Sequence, residues 1–158
     1  MATKPIPKAR VCIVDDEPLI RRAFRLLLLH QPEFELCGEA ENSEAAVQVI
    51  ATTLPDVLLV DLTLKHETAF ALIRRARKAN PALRILVFSM HDTIAFVEAA
   101  FRAGANGYVS KAEGIGRLLG AMRQLVKGRP YLPTALAARL PLGCDWYPPD
   151  RRQPWVRH

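Results

Sequence analysis

Five polar residues stand directly behind apolar runs in this chain: Asp15 and Asp16 after VCIV, Asp61 after VLLV, Ser89 at the end of ILVFS, and Lys111 after GYVS. Two unit charges about 5 Å apart repel by roughly 3 kcal/mol at an effective dielectric near 20. A buried strand that ends on Asp15, Asp16 and Glu17 therefore calls for a cation. Magnesium takes oxygen ligands at about 2.1 Å and keeps several waters, so one or two carboxylates with a backbone carbonyl suit it. Asp16 and Asp61 read as direct ligands, and Asp15 as a residue acting through a metal-bound water. An aspartate at such a place can itself be a nucleophile towards phosphorus, with Lys111 supplying a point charge and Ser89 a hydroxyl donor. Each residue alone has a plainer use: Asp16 can cap a helix that begins at Pro18, a lysine after a strand is commonly solvated, and a serine there commonly caps. The same rim recurring at four strand ends is what favours a site.

The elements that must carry these residues follow from periodicity. Apolar runs of strand length fall at 11–14, 34–37, 57–60, 85–88 and 107–110. Helical rhythm separates them: Ile20, Phe24, Leu27 and Leu28 in 18–30; Ala46, Val47, Ile50 and Leu54 in 43–54; Leu72, Ile73 and Ala76 in 68–79. It continues over 92–103, with Asp92 as the expected N-cap, and over 114–127, where Leu118, Met122 and Leu125 line one face. Five strands alternating with five helices predict an α/β fold, a three-layer doubly wound parallel sheet with helices on both faces. The near-continuous VLLV and ILVF agree, because such strands are buried on both sides. Ligands of these sheets bind at the carboxyl ends of the strands, where the five polar residues stand.

The bulk numbers exclude several classes. The 158 residues carry a net charge of +6, but residues 1–10 hold +3, residues 127–158 hold +4, and the body between them sums to −1. The basic balance thus belongs to the ends and does not describe a nucleic-acid groove. No apolar run approaches the length of a membrane span, and the N-terminus lacks an apolar segment of signal-peptide length, so a cytoplasmic protein is expected. Cys12, Cys37 and Cys144 show no metal or disulfide spacing.

The stretches VDDEP (14–18), LLVDLTL (58–64), FS (88–89) and GANGYVSK (104–111) resemble, in order and spacing, the receiver domains of two-component response regulators. The likeness extends over residues 9–128, and GANGYVSKAE with VKGRPYLPTALAARL brings it nearest the NarL/FixJ subfamily. It implies a flavodoxin-like (βα)5 fold with strand order 2-1-3-4-5, and Asp61 as acceptor of a phosphoryl group from a histidine kinase or phosphotransfer protein. It further implies Mg held by Asp16, Asp61 and the backbone carbonyl of Thr63, with Asp15 beside them. Lys111 would contact the phosphoryl group, and Ser89 with Tyr108 would form a switch pair that reshapes the surface of the fourth helix, fifth strand and fifth helix. Homodimerisation on phosphorylation belongs to the same picture. Thr63 and His91 fall where the family flanks water access to the phosphoryl group, and Lys65 and Ala69 stand where the family usually has proline and glycine.

The domain reading is a flexible N-terminus over 1–8, the receiver over 9–128, a linker over 129–140 with a short helix from 133, and a disordered tail over 141–158. Eighteen residues after Leu140 are too few for a helix-turn-helix unit, so DNA binding is not expected from this chain alone. Two other readings compete: a truncated two-component transcription regulator, and a phosphorylation-independent interaction module. An Asp-based phosphatase ranks below them, since Leu62 and Thr63 follow Asp61 where an acid two residues on would be expected.

Overall fold

The computed structural model of the protein describes residues 7–141 and 144–145. Its strands are β1 (Ala9–Val14), β2 (Phe34–Ala40), β3 (Val57–Val60), the two-residue β4 (Thr63–Leu64) and β5 (Glu67–Thr68), β6 (Arg84–Ser89) and β7 (Gly107–Ser110). Helices α1 (Pro18–Leu29), α2 (Ser43–Thr53), α3 (Phe70–Ala79), α4 (Ile94–Ala103), α5 (Gly116–Val126) and the short α6 (Thr134–Ala137) alternate with them. The main sheet is parallel in the order β2-β1-β3-β6-β7, which is 2-1-3-4-5 by position along the chain. That is the order the resemblance implies.

Every residue of β3 is buried, as its unbroken apolar run requires. One apolar cluster lies on the side of α2, α3 and α4, around Leu58, Val60, Ile73, Val97 and Tyr108; the other lies under α1 and α5, around Val11, Phe24, Leu59, Leu118 and Met122. The helix faces match their periodicity in α3 and α5, whereas α2 buries only Ala46 fully and leaves Leu54 exposed in a left-handed C-cap at φ 49°. Asn42 caps α2 by accepting from the Ala45 amide at 2.8 Å. At α4 the N-cap is Thr93 rather than the expected Asp92, and its side chain makes no capping bond. Among the described residues no helix is long and apolar enough to cross a membrane.

Two features escape the periodicity. Residues 63–68 form an antiparallel hairpin, and the third helix starts at Phe70 rather than at 68. Its turn holds Lys65 at φ 21°, which the proline usual at this position could not adopt. Arg77 is buried although it lies in a cationic run; it donates to Gly104 O at 2.9 Å and Pro81 O at 2.7 Å, and also to Asn106 Oδ1. It thereby ties the end of α3 to the loop that feeds β7. Arg77→Leu leaves those acceptors unsatisfied and is expected to cost about 2 kcal/mol, measured as a lowered urea midpoint at unchanged m-value.

Of the two expectations for the chain ends, those on 1–6, 142–143 and 146–158 lie outside the described residues. Within 129–145, Tyr131 bridges to Gly107 beside β7, Leu132 and Leu136 are buried, and Cys144 packs against the core.

Candidate functional site

The parallel order places the carboxyl ends of β1, β3, β6 and β7 on one edge, with β1 and β3 adjacent at its centre. Asp15 and Asp16 follow β1, Asp61 follows β3, and one carboxylate oxygen from each lies within 4.8 Å of the others. Asp61 is 6 % exposed and Asp15 2 %, so their charges meet little bulk water. Lys111 enters from the end of β7, its Nζ 2.7 Å from Asp61 Oδ2, 3.0 Å from Asp15 Oδ2 and 3.1 Å from Glu17 Oε1. One ammonium thus faces three carboxylates, with Asp16 close by. The donor set is hard oxygen with an excess of negative charge, which fits a magnesium ion at Asp15, Asp16 and Asp61.

Local structure aims each group. The Asp61 amide donates to Val14 O, fixing the end of β3 against β1, and Asp61 Oδ1 accepts from the Thr63 amide at 3.1 Å. Asp15 Oδ1 accepts from the Glu17 amide at 2.8 Å, and Arg21 binds the Asp15 carbonyl. Asp16 Oδ2 accepts from the Lys65 amide at 3.0 Å, a bond that a proline could not make. Lys111 opens a single 3-10 turn whose capping box pairs Ser110 Oγ with the Ala112 amide and Glu113 with the Ser110 amide. Together these residues border an open cleft of about 380 Å³ lined by Asp16, Asp61, Thr63, Ser89, His91 and Lys111 among others.

Ser89 is fully buried at the end of β6, and its Oγ accepts from the His91 amide at 3.2 Å. Tyr108 is also fully buried, with its ring in the α4-side core and its hydroxyl donating to the His91 carbonyl. Its phenol is held well above the ordinary value, chiefly by burial, with the Ser89 hydroxyl bond partly opposing. Tyr108 is buried although β7 is an edge strand of the sheet, because the segment after α5 covers that edge. His91 stacks on Phe96 with ring centroids 4.2 Å apart and meets Thr63 Oγ1 at 2.9 Å. Reading along the chain did not find the contacts of Glu17, Arg21, Lys65 and His91. Only the Ser110–Glu113 capping signature was available in sequence.

Burial lowers the Lys111 ammonium pKa, but its hydrogen bonds to Asp61 and Asp15 outweigh that, so the group stays charged with its pKa above the usual lysine value. For Asp15 burial dominates and pushes the carboxyl pKa up, the Glu17 amide and Lys111 offsetting only part of it. The folded state then binds more protons than the unfolded chain between the two pKa values, and stability falls as pH rises through that interval. Asp15→Asn is accordingly expected to raise Tm in metal-free buffer at neutral pH. The gain should shrink as the pH is lowered and the wild-type carboxyl protonates, which paired thermal melts across that range would show.

A family model described as the response regulator receiver domain matches residues 11–123. The chain belongs to the response regulator receiver family. This receiver is 30 % identical over 125 residues to the transcriptional regulatory protein DegU of Brevibacillus brevis, covering 79 % of this chain and 53 % of that protein. It is likewise 30 % identical to the nitrate/nitrite response regulator protein NarL of Escherichia coli K12, covering 81 % of this chain and 59 % of NarL. The chain spans about half to three fifths of the length of these two relatives. A two-component response regulator of the LuxR family from Aurantimonas sp. SI85-9A1 superposes with a TM-score of 0.78 at 34 % identity, covering 84 % of this chain and 94 % of that one. The isolated receiver of RcsB from Salmonella enterica serovar Typhimurium, solved with phosphomimetic beryllium fluoride, superposes with a TM-score of 0.76 at 26 % identity, covering 84 % of this receiver and 98 % of that one.

Proposed function

We propose that this receiver takes a phosphoryl group from a histidine kinase or phosphotransfer protein onto Asp61 and converts it into a change of surface. The observation that carries the reading is the fixing of Asp61 between the Thr63 amide and Lys111, beside two further carboxylates and an open cleft. An Asp61 oxygen attacks phosphorus, an acyl phosphate bond forms, and the bond to the donor imidazole nitrogen breaks with its electron pair returning to the ring. Such transfer needs little more than positioning and neutralisation of charge on the phosphoryl oxygens. Asp16, Asp61 and the Thr63 carbonyl would hold Mg, with Asp15 acting through its water, and the ion supplies charge neutralisation when bound. Lys111 contacts the phosphoryl group, and Ser89 has a hydroxyl proton to give it.

Ser89 and Tyr108 are the switch pair, and the surface of α4, β7 and α5 is the output. Transcription regulation, homodimerisation and a cytoplasmic setting accompany this role in the reading, by analogy with the relatives. DNA contact is assigned to parts of such regulators outside the receiver.

Intact mass after incubation with acetyl phosphate and Mg is the test, run beside Asp61→Asn. A labile gain of about 80 Da that requires both Mg and Asp61 is the expected outcome of Asp-based phosphoryl transfer. Absence of an adduct under rapid quenching, together with absence of beryllofluoride binding, would instead favour a phosphorylation-independent interaction module.

A further inference from the structure

Residues 130–141, with Cys144 and Asp145, lie along the free edge of the sheet, over the residue assigned to the switch. Tyr131 accepts from the Tyr108 amide at 2.9 Å and donates to Asn106 O at 3.1 Å, so it continues the ladder one position beyond β7. The approach is close because Gly107 has no side chain: a Cβ there would stand 3.3 Å from Tyr131 Cβ and 2.9 Å from both Leu125 and Leu86. Past this point Leu132 and Leu136 bury themselves in the same apolar cluster as Tyr108, Val97 and Phe101, with Ala137, Leu140 and Cys144 packed against it. Arg102 of α4 reaches Asp145 at 3.1 Å, an exposed pair that adds little by itself.

Tyr108 is therefore held at both ends. Its amide carries the segment through Tyr131, and its hydroxyl carries the loop of the cleft through the His91 carbonyl, next to the Ser89 hydroxyl. We infer that residues 130–141, with Cys144 and Asp145, act as a strap whose seating is coupled, through Tyr108, to occupation of the Asp61 cleft, and that a phosphoryl group tightens it. The inference rests on the acceptor reading of Asp61.

The direction follows from the hydrogen bonds. Ser89 Oγ accepts the His91 amide with a lone pair, so its proton can turn from the Tyr108 hydroxyl to a phosphoryl oxygen without releasing that amide. A phosphoryl group then fixes Ser89 where the loop already needs it, and with it the carbonyl that holds Tyr108 inward. An inward ring fills the cluster into which Leu132 and Leu136 are set; an outward ring would leave a void there and loosen them. By linkage, a seated strap must in turn strengthen anion binding at the cleft by the same factor.

The experiment uses beryllium fluoride with Mg as the probe, with fluorine NMR reporting binding. Amide exchange at Tyr108 and Tyr131 and thiol labelling of Cys144 report the strap, and Cys37 serves as an internal control. With the probe bound, exchange and Cys144 labelling are expected to slow by about 5-fold or more, the lower range of ordinary site-to-site coupling. Tyr108→Phe keeps the ring but loses the bond to His91, and should bind the probe while showing none of that slowing. Tyr131→Pro removes the amide that donates to Asn106 and should weaken probe binding by a comparable factor. Bound probe with unchanged or faster exchange overturns the strap while leaving the acceptor reading intact. No bound probe overturns both.

Discussion

Replacing Lys111 with methionine is expected to slow phosphoryl incorporation into Asp61 by about 100- to 1000-fold, the usual cost of removing one preorganised donor from a developing anion. Lys111 is the one cation paired with the carboxylates of Asp15, Glu17 and Asp61 among the described residues, and the capping box at Ser110–Glu113 sets where it enters. Methionine keeps the length and much of the stem packing, including the region beside the Phe88 ring, and loses only the charge. The same change leaves the carboxylates without their internal counterion, so affinity for a divalent cation should rise while transfer falls. Time-resolved intact mass and a metal titration on the one variant separate the two effects. A variant that accepts the phosphoryl group at the wild-type rate would remove Lys111 from the chemistry and leave it a purely structural counterion.

Magnesium is expected to stabilise the folded protein by about 2.7 kcal/mol when its free concentration is 100 times Kd, because a ligand bound by the folded state alone shifts unfolding by mass action. Asp16→Asn should abolish most of that gain. Asp16 forms no ion pair with Lys111, and among the described residues its hydrogen bonding is the single acceptance from the Lys65 amide. Its remaining oxygen capacity is thus available to a metal, while its charge adds to the repulsion at the rim. Urea unfolding with and without Mg, on both proteins, is the measurement. Equal stabilisation of the variant would place the ion away from Asp16.

The alternation of strands and helices was legible from the chain alone, because the spacing of apolar residues is set by the strand and helix periods themselves. The sequence also marked Asp15, Asp16, Asp61, Ser89 and Lys111, since each directly follows or ends an apolar run of strand length. Parallel connection then sends those ends to one edge, and the structure brings the three carboxylates and the ammonium into contact there. None of this required knowing which side chain touches which.

What tertiary structure alone decided depends on contacts between residues far apart in the chain. The Lys65 amide reaches Asp16 across 49 positions, and that bond exists because residues 63–68 fold as a hairpin that apolar periodicity does not mark. The depth of Tyr108 was unreadable because burial of an edge strand depends on what covers the edge, here Tyr131, Leu132 and Leu136, more than twenty residues on. Arg77 likewise looks solvated in its cationic run and is drawn inside by carbonyls of the loops at 81 and 104. Local sequence sets backbone period and burial tendency, but these partners are chosen by how the layers close, and only the folded chain brings them within hydrogen-bond range.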